Sequence, residues 1–388
     1  MNYHDILAHQ VESIPPSGIR KFFDVAAEMQ GVISLGVGEP DFVTPWNIRE
    51  ASIHSIERGR THYTSNHGLV ELRRLILDYL RIRYDVHYKL EECLVTVGAS
   101  EGLDLAFRAI LNPGDEVLVP APSYVSYSPG VTMAHGVPVP VPTYEEDQYA
   151  LRADVVEKLI TPRTKAIILP YPNNPTGAIM TRDEIDAVTK VLLRHNIILI
   201  ADEIYCELTY GQVHESFAKG LEDRTILING FSKAFAMTGW RLGYACAPKP
   251  ILDLMVKIHQ YTMLCAPIMA QVAGQEALKD ALSTDFRQIA QMRTSYNRRR
   301  LLIYEGMKEI GLPAFEPKGA FYLFPNIKST GLTSEEFCHR LLMEQKVACV
   351  PGTAFGDCGE GYVRCSYASS VDNIMEALRR IRRFVENL

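Results

Sequence analysis

The sequence predicts an α/β fold: a large domain with a mostly parallel central sheet flanked by helices, plus a smaller α/β C-terminal domain. Two patterns carry this expectation. Short continuous apolar runs alternate with amphipathic helices through the middle of the chain, and strands buried on both faces of a parallel sheet require such runs. After about residue 284 the pattern changes to long charged helices with only two strand-like segments. In chain order, "CLVTVGA" (93–99) reads as a strand. The helix after it carries Leu103, Phe107, Ile110 and Leu111 on one side and stops at Pro113-Gly114. "DEVLVPA" (115–121), "KAIILPY" (165–171) and "NIILIAD" (196–202) are further apolar strands. The helix between the last two opens with Thr181 and Glu184 in capping-box spacing and continues with Ile185, Val188 and Leu192 on one stripe. "TILING" (225–230) and "GWRLGYACA" (239–247) close the series. Then come a charged helix containing "YNRRR" (296–300), the strand-like "GAFYLFP" (319–325) and "GYVRCSYA" (361–368), and an arginine-rich terminal helix. The expected division is a large domain over 45–284 and a small one combining 1–44 with 285–388.

Composition narrows the function. The 388 residues are 47% hydrophobic and 22% charged, which is ordinary for a globular protein and excludes wholesale disorder. Lysine plus arginine total 40 against 46 acidic residues, a net charge of −6 that gives no bulk basic field for a nucleic acid or an anionic membrane. The arginines at 379–383 are threaded by Ile374, Leu378, Ile381 and Val385 at helical spacing, so they read as a solvated helix face. No apolar run approaches the roughly 18 residues that span a bilayer. His4, Asp5, Glu12 and two prolines stand where a signal peptide needs an apolar core. The eight cysteines contain no C-x-x-C pair, and reduced thiols in a cytoplasmic enzyme without a metal site are expected.

Four segments carry chemistry: "GAS" (98–100), "NNPTG" (173–177), "DEIY" (202–205) and "FSKAFAMTGWRLG" (231–243). Each falls at or just beyond the C-terminal end of an expected strand, the edge where open α/β sheets bind ligands. Together they suit an aromatic phosphate cofactor that forms an imine. A strand–GAS–helix corner offers free backbone N–H groups and a hydroxyl to an anion. Ser232 adds a hydroxyl donor and Arg241 a fixed positive fork. Asp202, ending a buried strand, requires a cation, which a protonated ring nitrogen supplies. Tyr205, one helical turn on from Asp202, and Asn174 can both donate to a phenolate oxygen on the same ring. Lys233 is then the reactive amine, which must be desolvated, placed near other cations, or already tied up as an imine.

With these residues in this order, the chain resembles the class I/II aminotransferases. These are pyridoxal-phosphate enzymes of fold type I, and the likeness is to the aspartate/aromatic/alanine branch. The similarity runs from "SGIRK" (17–21) and "LGVGEPDF" (35–42), through "HYTSNHGLVELR" (62–73), to "PKGAFYLFP" (317–325) and "VPGTAFG…GEGYVRCSYA" (350–368). The resemblance implies pyridoxal 5'-phosphate, with Lys233 as its Schiff-base lysine and Asp202 as partner of the pyridine nitrogen. It implies Asn174 and Tyr205 at the ring oxygen, Ala99, Ser100, Ser232 and Arg241 at the phosphate, and Tyr124 stacked on the ring. Arg364 would bind the substrate α-carboxylate with help from Asn174 and the backbone at Gly38. Tyr63 would reach the phosphate of the neighbouring subunit, which makes a homodimer with active sites at the subunit interface.

The expected reaction is a ping-pong transfer of an amino group from an L-amino acid to a 2-oxo acid such as 2-oxoglutarate. Aromatic or broad specificity ranks first, from "YPNNPTG" and "IYCELTY"; aspartate ranks second and N-acetyl-diaminopimelate third. Arg20 lies in "SGIRK", a segment that folds over the active site in similar enzymes, and there it could meet a 2-oxoglutarate carboxylate. A carbon–sulfur β-lyase on the same fold would use the same cofactor residues. A ligand-sensing regulator of this fold would carry a DNA-binding domain ahead of residue 17, where this sequence leaves no room.

Overall fold

The computed structural model describes residues 6–16 and 29–388. Its strands are β1 (Ile33–Ser34), β2 (Cys93–Thr96), β3 (Glu116–Ala121), β4 (Val137–Pro142), β5 (Thr164–Leu169), β6 (Ile198–Asp202), β7 (Thr225–Gly230), β8 (Gly243–Cys246), β9 (Tyr322–Leu323), β10 (Val347–Ala348), β11 (Val350–Pro351) and β12 (Val363–Ser366). Seven of them form the central sheet in the order β2-β8-β7-β6-β5-β3-β4. Every pair in it is parallel except those made by β8. The apolar runs follow from double-sided burial: Ile167, Leu199 and Leu227 pack on one face, and Ile168, Ile200 and Ile228 on the other.

Smaller sheets lie nearer the C-terminus, where β11-β12-β9 is antiparallel and β1 pairs with β10. Leu35 packs in the same cluster as Phe321, Phe337 and Ile381, so the chain just after β1 shares a core with the C-terminal layer. The capping box at Thr181 and Glu184 starts the helix Arg182–Leu193, whose Ile185, Val188 and Leu192 are buried. In the terminal helix Val371–Glu386, Arg379 and Arg380 pair with Glu376 and Arg382 pairs with Glu309, as a solvated face would. No helix among the described residues is long and apolar enough to cross a membrane.

Three local expectations need correction. In "GWRLGYACA" only Gly243–Cys246 is strand, because Thr238–Trp240 is a 3-10 turn and Arg241 sits at φ 51°. That turn aims Arg241 back toward Gly98, a tertiary requirement that strand propensity does not encode. "GAFYLFP" shortens to the two residues of β9. Tyr205 does not lie on a helix: "DEIY" is a turn in which Asp202 Oδ1 accepts the Ile204 N–H at 3.2 Å. The unforeseen β4, "VPVPVP", is an edge strand. Val137 at its start and Thr143 just beyond its end donate N–H groups to the Asp115 and Ala121 carbonyls on the β3 side, so the alternating prolines put their missing donors on the free edge.

Candidate active site

The C-terminal ends of β2, β3, β5, β6 and β7 open into a cavity of about 730 Å³. Gly38, Ala99, Ser100, Tyr124, Asn174, Asp202, Tyr205, Ser232, Lys233, Arg241 and Arg364 all line it. Two expected residues do not. Tyr63 is 83% exposed and is absent from the cavity wall, and Arg20 lies outside the described residues.

Asp202 is buried at the end of β6, where its Oδ2 accepts the Tyr127 hydroxyl at 2.8 Å. Desolvation raises its pKa to about 6, against the lowering effect of the bonds from Tyr127 and Ile204. Loss of the phenol hydroxyl removes a bond that favours the carboxylate. Tyr127→Phe is therefore expected to move the Asp202 titration to higher pH, read as the pH midpoint of its carboxyl signal by NMR or infrared spectroscopy. A midpoint unchanged from wild type would refute this role.

Lys233 is half-buried, and its Nζ donates to the Gly38 carbonyl at 2.6 Å. Desolvation lowers its pKa to about 8; Glu39 opposes the shift, while Arg364 and Arg241 assist it. About a tenth of such an amine is neutral at pH 7, instead of a few parts in ten thousand. In the apoprotein, the rate at which Lys233 attacks an added aldehyde is expected to rise with pH and level off above about 8. A stopped-flow pH series checks it, and a rise that continues unbroken beyond pH 10 would contradict the shift.

Arg364 is 2% exposed. It donates to Asn174 Oδ1 at 2.9 Å and to the Gly36 carbonyl at 2.5 Å, and it lies 4.5 Å from the Tyr322 ring centroid. Its Nε has no hydrogen-bond partner, and no salt bridge to it occurs among the described residues. A buried guanidinium without a counter-anion is costly, so the site is complementary to an incoming carboxylate. With its oxygen held by Arg364, the Asn174 amide keeps its N–H donors for another acceptor.

Arg241 hydrogen-bonds the Thr238 carbonyl at 3.0 Å. It approaches Gly98 so closely that a Cβ there would stand 2.6 Å from Nη2. A Cβ on Gly243 would meet the Gly98–Ala99 backbone at 2.5 Å. Two glycines thus let the guanidinium and the start of helix Ala99–Ile110 share one corner. Ser232 is buried and lines the same cavity, and Tyr124 stands edge-on to Tyr127 at 5.5 Å.

The sequence reading missed Tyr127, Tyr322, Gly36 and Glu39, which also line the cavity. Tyr322 accompanies Tyr205, hydroxyl to hydroxyl, at 2.7 Å. Tyr127 had one available signal, its i+3 spacing from Tyr124 in "YVSY". The Gly38 carbonyl accepts from Lys233, and the Gly36 carbonyl accepts from Arg364. Chemically, the cavity joins a half-buried amine, a buried carboxylate, a guanidinium beside a helix start and a second, buried guanidinium without a counter-anion.

The family described as aminotransferase class I and II matches residues 30–381. The Bacillus subtilis (strain 168) protein YugH is 52% identical over 382 residues, covering 98% of each chain. The aspartate aminotransferase of Pyrococcus abyssi is 45% identical over 381 residues and 97% of each chain. The solved structure of an aromatic aminotransferase from Pyrococcus horikoshii OT3 superposes with a TM-score of 0.90 at 43% identity, covering 95% of this chain and 99% of the other.

Proposed function

The chain belongs to the class I and II aminotransferases and has their fold type I architecture, and from that premise we propose which cofactor, donors and assembly it uses. It transfers an amino group between an amino acid and a 2-oxo acid. Our reading is that pyridoxal 5'-phosphate is the cofactor, and the residues present fit that group. The buried Asp202 carboxylate has no cation bonded to it among the described residues, as a partner for a ring N–H should not. Arg241 packs against Gly98 at the start of helix Ala99–Ile110, which puts a guanidinium beside a helix N-terminus on the cavity wall, a pairing suited to a phosphate. When bound, this cofactor supplies an electron sink and a carbonyl that carries the amino group between the two acids.

The rest is work for the chain's own side chains. Asp202 would hold a proton on the ring nitrogen, Tyr205 and Asn174 would donate to the ring oxygen, and Tyr124 would cover a ring face. Ala99, Ser100, Ser232 and Arg241 would hold the phosphate. Arg364 would clamp the substrate carboxylate and so orient the Cα–H toward Lys233, which removes that proton as a neutral amine. The ping-pong order, the homodimer in which Tyr63 reaches the neighbouring site, the division at 45–284 and the cytoplasmic location remain part of this proposal.

For the donor, aromatic or broad specificity is favoured, with 2-oxoglutarate as acceptor. The carrying observation is the charge of the wall. Among the described lining residues the cations are Lys233, Arg241 and Arg364, each with a role above, and Glu39 adds a negative charge. A second substrate carboxylate would find no unassigned cation among these residues, so the distal carboxylate of 2-oxoglutarate is left to Arg20, outside the described residues, and a dicarboxylate donor has no fixed partner of its own. The test is kcat/KM for phenylalanine, tyrosine, aspartate, alanine and N-acetyl-diaminopimelate, each with 2-oxoglutarate. Aromatic donors are expected to equal or exceed aspartate. An aspartate value more than about a thousandfold above every other donor, roughly 4 kcal/mol of discrimination, would overturn the reading.

A further inference from the structure

The corner at Gly98 and Arg241 has an electrostatic difficulty. Helix Ala99–Ile110 starts from Gly98 at φ 78°, with no side-chain cap. A serine, threonine or aspartate is a poor cap at that position, because φ 78° strains any side chain there and its Cβ would stand 2.6 Å from the Arg241 guanidinium. The cap comes instead from inside the helix, where Glu101 Oε2 accepts the Val97 N–H at 2.5 Å. Thr96 Oγ1 closes the same turn by donating to the Gly98 carbonyl at 2.9 Å. A carboxylate in the first turn suits the helix dipole. It also sets a negative charge one residue beyond Ser100, where a phosphate dianion is to sit.

His259 meets that charge. It comes from the helix Lys249–Thr262, is fully buried, and places Nδ1 2.7 Å from Glu101 Oε1. The side chain of Glu101 is only 8% exposed. The other ring nitrogen, Nε2, is buried without a partner, so the hydrogen bond to Glu101 is the imidazole's one polar commitment. A buried ring nitrogen left unsatisfied is a cost, and a contribution to the adjoining corner accounts for its being tolerated.

We propose that Glu101 and His259 are a positioning pair for the phosphate corner: Glu101 fixes the Val97–Ser100 turn, and His259 draws the carboxylate charge away from the bound phosphate. The proposal rests on the cofactor reading above. Neither residue touches the cavity, so both act through the turn.

The experiment titrates purified apoenzymes by absorbance with pyridoxal 5'-phosphate and, separately, with pyridoxal, which lacks the phosphate. His259→Leu is expected to weaken pyridoxal 5'-phosphate roughly tenfold while leaving pyridoxal within about twofold, since dipole and hydrogen-bond contributions are of that order. His259→Asn, which keeps a donor near Nδ1, should recover most of the loss. Glu101→Gln combined with His259→Leu should also recover it, because the charge that needed countering is gone. Equal weakening of both ligands, or no recovery in the double variant, would overturn the proposal. If His259→Leu alone does not fold, the double variant decides: a wild-type preference for the phosphate form supports the pair, and a tenfold fall in that preference refutes it. A wild-type enzyme with no preference for the phosphorylated ligand would overturn the cofactor reading instead.

Discussion

Replacing Lys233 by alanine is expected to lower kcat at least a hundredfold while the protein stays folded and still binds its cofactor. The phosphate and ring contacts are assigned to other side chains, so only the amine at the cavity wall is lost. General acid–base steps are typically worth about 10²–10⁴-fold. The desolvation that lowers the Lys233 pKa to about 8 is what makes the residue usable as a base near neutrality. Steady-state turnover, with circular dichroism and cofactor titration on the same preparation, checks the prediction. Turnover above about a hundredth of wild type in a folded, cofactor-binding variant would remove Lys233 from the role of base.

Asp202→Asn is expected to be nearly as damaging to kcat, with a smaller effect on cofactor affinity. The amide keeps the shape and can still accept from Tyr127, but it cannot hold a proton on a ring nitrogen. A fall of about a hundredfold, roughly 2.7 kcal/mol, is the scale for losing such a preorganised charge. Wild-type kcat with only a raised cofactor Kd would show the role to be wrong.

The same substitution makes a second prediction in the apoprotein. The folded Asp202 has its pKa raised from 3.8 to about 6, so the native state holds the extra proton between those values. Its stability contribution therefore falls as pH rises through that window, and the penalty is fully present above about pH 6, at ~3 kcal/mol. Apo Asp202→Asn should be more stable than apo wild type at pH 8 and close to it at pH 4, as denaturant midpoints would show. A wild-type advantage at pH 8 would contradict a desolvated carboxylate.

Much of this site is legible in the sequence. "GAS", "NNPTG", "DEIY" and "FSKAFAMTGWRLG" each follow a strand whose apolar run is plain, so strand-end geometry alone brings Ala99, Asn174, Asp202 and Lys233 to one edge. The capping box at Thr181 and the punctuation at Pro113-Gly114 are local signals and are equally readable. Strand β4 is not, because proline argues against a strand until its place at the sheet edge is known. The turn at 238–241 is not either, because Arg241 adopts a left-handed backbone to meet Gly98 across the sheet.

By itself, the sequence determined the fold class, the parallel sheet and which side chains carry the amine, the carboxylate and the guanidinium, since these follow from residue type and short-range period. Only the tertiary structure decided what those groups are worth. It brought Tyr127 onto Asp202 across 75 residues, Asn174 and the Gly36 carbonyl onto Arg364 across 190 and 328, and His259 onto Glu101 across 158. The raised carboxylate, the lowered amine and the guanidinium without an anion are all consequences of burial. Burial is decided by what the rest of the chain packs around a group, and no window of neighbouring residues contains that information.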